Sequence, residues 1–172
     1  GNRLRMTRQL GDSQDGGMGL LMFDEYGRTR ANIGLKAASD PTIELFDSNG
    51  RKLTTMQVSP DGSPSMVLMD AAGTARASLA ISSQGVPGLN ILDSKGNVGV
   101  DLRVWDDDVS ALILSDSSGA PHAALAASEG GAPSLVLADE TTKSRVDLRV
   151  IEGGVPHLIL TDYQGSVLFT AP

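Results

Sequence analysis

The chain has 172 residues, with 20 Gly, 8 Pro, two His, no Cys and six aromatic residues. That length suits one domain with a core. Without Cys there is no disulfide framework, thiolate zinc site or cysteine nucleophile, and six aromatics argue against base-stacking surfaces. A net charge of −7 disfavours nucleic acid or an anionic membrane as the main partner.

The chain opens on a basic and polar leader, residues 1–17, with Arg3, Arg5 and Arg8. It lacks the apolar run of a signal peptide and reads as a segment following an anchor or a tag. No stretch of the sequence approaches the 18 apolar residues of a membrane-crossing helix.

From residue 18 onward the sequence repeats every 23 residues: 18–40, 41–63, 64–86, 87–109, 110–132, 133–155 and a shortened 156–172. The register is carried by Asp24, Asp47, Asp70, Asp93, Asp116, Asp139 and Asp162. Three residues later stand Gly27, Gly50, Gly73, Gly96, Gly119 and Gly165, with Thr142 in the sixth copy. Repeats of this kind signal a stacked or serial architecture.

Within the first copy, Leu20 and Met22 precede the Asp and Ile33 and Leu35 follow the Gly. The same spacing recurs in Ile43, Leu45, Met56 and Val58, and again in Leu89, Ile91, Leu102 and Val104. A spacing of two is the strand period, so each copy predicts two short strands. Asp-x-x-Gly predicts a type I turn closed by a left-handed glycine, with the Asp side chain bonding the backbone two residues on. The second link carries its own turn residues, as in Pro60-Asp61-Gly62, Ser83-Gln84-Gly85, Glu129-Gly130-Gly131 and Glu152-Gly153-Gly154. Both links are short enough to join antiparallel neighbours.

The predicted fold is therefore all-β: tandem β-hairpin repeats in an antiparallel meander or solenoid-like array of about 13–14 short strands. A wide closed barrel is the lesser option. A weaker period of 46 also runs through the chain, since Val100-Asp101-Leu102-Arg103-Val104 returns as Val146-Asp147-Leu148-Arg149-Val150.

Face assignment is the next expectation. In the second strand of each copy the alternate residues are polar or small (Arg30, Asn32, Arg76, Ser78, Asp101, Arg103, Arg145, Asp147, Arg149), which predicts one wet face and one buried face. In the first strand both faces are apolar in many copies, with Glu44 and Asn90 breaking the pattern. Leu21, Phe23, Phe46, Val67, Met69, Leu92, Ile113, Val136 and Ile159 form a second stripe. An uncovered stripe needs curling, self-association or another protein, so these nine are the candidate interface residues.

Candidate chemistry is weaker. The Asp ladder has one carboxylate per copy, which favours turn capping over calcium. Asp106-Asp107-Asp108 reads as a solvated turn. His122 and His157 occupy unmatched repeat positions and give no nucleophile, base and acid set. Asp101 with Arg103, and Asp147 with Arg149, are expected to pair across neighbouring strands. Gly-rich turns lack a phosphate-loop context. No cofactor and no metal is expected.

The pattern G-x-P-x-L-x-L-x-D-x-x-G resembles hairpin-repeat segments of bacterial envelope and fibrous proteins in general. No family is named by it, and the paired Trp and Tyr of choline-binding repeats are missing. The functional expectation is a non-enzymatic structural or interaction module. Its setting would be an accessory subunit stabilising a larger membrane-associated complex, on the periplasmic or extracellular face of a bacterial membrane. Its partner would be a protein or a second copy. The alternative is a glycan- or calcium-binding adhesive module of an extracellular stalk.

Overall fold

The computed structural model describes residues 6–9, 19–36, 40–105, 108–127 and 132–172. Every repeat supplies two strands, and the leader supplies one more. The chain divides into two units, Gly1–Ser83 and Gln84–Pro172. The first holds β1 (Met6–Gln9), β2 (Gly19–Phe23), β3 (Thr29–Leu35), β4 (Pro41–Phe46), β5 (Lys52–Val58), β6 (Pro64–Met69) and β7 (Ala75–Ile81). The second holds β8 (Pro87–Leu92), β9 (Val98–Val104), β10 (Ser110–Ser115), β11 (Pro121–Ala127), β12 (Pro133–Ala138), β13 (Ser144–Ile151), β14 (Val155–Thr161) and β15 (Val167–Ala171). Among the described residues the one helical element is a 3-10 turn at Glu152–Gly154.

Each unit is an antiparallel meander in which strands pair in chain order. The register follows from the repeat. In the first unit Leu20, Ile33, Ile43, Met56, Met66 and Leu79 face one another in a single cross-strand row. In the second the same row runs Leu89, Leu102, Leu112, Leu125, Leu135, Leu148 and Leu158. A slip of one residue would turn this row onto the opposite face, so the row itself holds the register.

A register shift marks every Asp hairpin. In the first, Met22 pairs Ala31 and Phe23 pairs Thr29, leaving Arg30 as the extra residue. The equivalent extra residues are Leu53, Arg76, Gly99, His122, Arg145 and Leu168, again 23 apart. Such a bulge follows from a hairpin closed by a type I turn and a left-handed residue, because the turn adds a residue to one arm.

The two faces are covered in the opposite sense to the sequence expectation. Ile33, Met56, Leu79, Leu102 and Leu125, all from the apolar row, are exposed, with Leu79 at 55% and Leu125 at 52%. Thr42, Thr55, Asp101 and Ala111 are the buried residues among those described, and all four lie on the other face. The reason is that strands of one layer are shielded only by side chains beside them. Long polar side chains reach sideways over the polar face: Lys52 Nζ and Asn32 Nδ2 both donate to Glu44, at 3.1 and 3.2 Å. Lys36 Nζ donates to Gln57 at 3.3 Å. The apolar rows have no such cover. Asp101 and Arg103 also depart from expectation, since they pair along one strand two residues apart, as do Asp147 and Arg149. Alternation puts residues i and i+2 on one face, which makes that pairing the shorter reach.

Candidate interaction faces

Each Asp turn is closed twice by backbone and twice by side chain. In the first, Asp24 N donates to Arg28 O at 2.9 Å and Gly27 N to Asp24 O at 3.0 Å. Asp24 Oδ1 accepts the N–H groups of Tyr26 and Arg28, both at 3.0 Å. The same two acceptances recur at Asp47, Asp70, Asp93, Asp116, Asp139 and Asp162. Gly50 takes φ +79° at the closing position, a region that suits a residue without Cβ. Thr142 occupies it at φ +62°. Asp108 takes φ +58° at the corresponding place in a second link, while Asp106 and Asp107 lie outside the described residues.

The second carboxylate oxygen takes the bulge residue. Asp24 Oδ2 lies 3.8 Å from Arg30, Asp70 Oδ2 3.5 Å from Arg76 and Asp116 Oδ2 2.9 Å from His122. Arg145 Nε donates to Asp139 Oδ2 at 2.6 Å. His122 therefore stands where other copies carry Arg, six residues after the Asp. The repeat spacing carried that signal, and sequence reasoning set it aside by comparing the two histidines with each other.

These cations also reach the next repeat. Arg30 Nε donates to Phe46 O at 3.1 Å, and Arg145 donates to Asp162 O and, at 3.1 Å, to Tyr163 O. Arg51 Nη1 and Asn97 Nδ2 make the equivalent bonds to Ala71 O and Ser117 O, each at 2.9 Å. One edge of each meander is thus latched turn to turn, a nearest-neighbour coupling of the kind that holds repeat arrays.

The electrostatics match. Backbone N–H donors from Arg51 and Asn49 outweigh partial desolvation and hold the Asp47 carboxyl below the usual carboxylate range. Hydrogen bonds from the Ser118 and His122 side chains do the same to Asp116. The Asp116 carboxylate raises His122 in turn, against some desolvation. Among the described residues no three His, Cys, Asp or Glu gather as a metal-holding group. No helix of the described residues is long and apolar enough to cross a membrane.

The nine stripe residues (Leu21, Phe23, Phe46, Val67, Met69, Leu92, Ile113, Val136, Ile159) are all half-buried. Leu21, Val67, Ile113, Val136 and Ile159 interleave in cross-strand rows with polar or small partners: Asn32 and Ser78 in the first unit, Asp101 and Asp147 in the second. The more exposed apolar surface lies on the opposite face, in residues that sequence reasoning assigned to the core. There the first unit is hollowed into an open groove of about 710 Å³ across β3–β7, lined by Ile33, Leu35, Ile43, Met56, Val58, Met66, Leu79 and Ile81 among others.

No protein-family model matches the sequence, and no curated protein matches it. Solved structures similar to this chain include the wild-type TCP10 domain of Danio rerio CPAP, at 14% identity and TM-score 0.32. That match covers 98% of this chain and 99% of the other. A point mutant of the same domain matches at the same identity and TM-score, covering 98% of each chain.

Proposed function

We propose that this chain is a non-enzymatic structural and interaction module whose uncharged apolar face is covered by a protein surface in the working assembly. One observation carries this reading: Ile33, Met56, Leu79, Leu102, Leu125 and Leu148 of the apolar rows are exposed, while Ala111 at 6% is the buried hydrophobic residue among those described. Burying a Leu fully is worth about 1.5–3 kcal/mol, so completing the burial of a half-exposed Leu contributes about 1 kcal/mol. Repeated along two rows, that is a large driving force for docking.

The wider setting we propose is an accessory subunit of a larger membrane-associated complex, on the extracytoplasmic side. The Cys-free, acidic composition supports that setting.

The test uses the absence of native cysteine. Leu125→Cys places a thiol on the apolar face, and Lys95→Cys places a control in an exposed turn. Both variants are labelled with a maleimide in extracts of the cells that make the protein. The reading expects slow labelling of Leu125→Cys relative to Lys95→Cys. Equal rates in the extract would refute it.

A further inference from the structure

Resting on that reading, we infer that the occupant of the apolar face of the second unit is the same face of a second copy of this chain. The first argument is shape. Beside the Leu row runs a second row: Ile91, Val100, Leu114, Ala123, Leu137, Val146 and Leu160. In this row the large side chains sit on β8, β10, β12 and β14 and the smaller ones on β9, β11 and β13, whereas in the Leu row the most exposed side chains, Leu102, Leu125 and Leu148, stand on β9, β11 and β13. With strands about 4.8 Å apart, projecting side chains recur every 9.6 Å or so along each row, and the two rows alternate out of step. A copy turned about a two-fold axis that runs parallel to the strands and passes between two of them sets the projections of each row between those of the same row in its partner. Such a self-complementary contact is isologous and closed.

The second argument is charge. Neither row contains Asp, Glu, Lys or Arg, while Asp101, Arg103, Asp147 and Arg149 stand on the opposite face. Two copies of a chain at net −7 repel wherever charged faces meet, and this face avoids that repulsion.

The third is area. Eight strands about 4.8 Å apart, each offering about 20 Å of length, give a footprint near 750 Å² per copy. Two copies then bury about 1,500 Å², the size of a standard stable interface and above the roughly 1,000 Å² that a specific contact needs. Sheets stacked in this way lie about 10 Å apart with interdigitating side chains.

The experiment is sedimentation equilibrium of the purified full chain over a concentration series, with maleimide labelling of Leu125→Cys under reductant. Twice the chain mass is expected. Labelling should slow in proportion to the paired fraction, roughly tenfold where about nine-tenths of the chain is paired. Leu125→Lys should return the single-chain mass with an unchanged circular dichroism spectrum, and Leu102→Lys serves if that variant does not fold. A single-chain mass with fast labelling overturns the second-copy inference and leaves the docking reading standing. A single-chain mass with slow labelling overturns both, because the face is then covered from within. A double mass with fast labelling, or one that survives both Lys variants, places association elsewhere and overturns the inference.

Discussion

Thr142→Gly isolates the chemistry of the Asp turn at the one position where the repeat departs from it. Thr142 holds φ +62° where Gly27, Gly50, Gly73, Gly96, Gly119 and Gly165 take values from +77° to +90°. Its N–H still donates to Asp139 O at 2.9 Å, so the turn is closed with a side chain in a disfavoured region. A Cβ in the left-handed region costs about 1–2 kcal/mol. Against this, glycine loses about 0.5–1 kcal/mol more backbone freedom on folding. The exposed bond from Thr142 Oγ1 to Thr141 O, at 2.7 Å, is also lost and contributes little. The net expectation is a gain of about 0.5–1 kcal/mol, or about 1–3 °C in Tm for a chain of this length. Urea unfolding followed by circular dichroism should show a higher midpoint at unchanged slope. Gly119→Thr, where an added Cβ meets nothing within 4 Å, should lose about as much through backbone strain alone. A lower midpoint for Thr142→Gly would refute the conformational account.

Three further outcomes follow from the polar face and the turns. Thr55 is buried and its Oγ1 has no hydrogen-bond partner among the described residues, so Thr55→Val should raise stability by about 1 kcal/mol, read as a higher urea midpoint. His122 should titrate above its ordinary range in NMR, and Asp116→Asn should bring it back down. Because its folded value is raised, the stability from this pair is fully present below the unfolded His value and is lost as pH rises through the folded value. The Asp carboxyls are lowered, so their contribution is present above the unfolded carboxylate value and is lost as pH falls through the folded values. Thermal melts should therefore show Tm falling steadily in acid below the ordinary Asp range.

Much of the fold was legible because each repeat states it locally. The spacing of two in Leu20 and Met22, and in Ile33 and Leu35, fixes strands, and Asp24 with Gly27 fixes the turn that aligns them. What alternation does not state is which face is covered. Ile33 and Leu125 look like core residues, yet they are exposed because no second layer of described residues lies over them within either unit. Thr55 and Asp101 look like surface residues, yet neighbours on the same face cover them. The leader strand Met6–Gln9 was illegible for a different reason: it carries neither the Asp-x-x-Gly turn nor the repeated apolar pair, and its place comes from pairing with Gly19–Met22. The bulge residues were half legible. Arg30, Arg76 and Arg145 announced a recurring cation, while Leu53, Gly99 and Leu168 share the bulge without sharing its charge.

The central claim is that the exposed apolar rows are a docking face. The most direct measurement is the ratio of maleimide labelling rates for Leu125→Cys and Lys95→Cys in native extract. The account predicts that the turn thiol reacts freely while the face thiol is shielded, and that dilution of the extract releases it. Equal reactivity at both positions, undiluted, would contradict it.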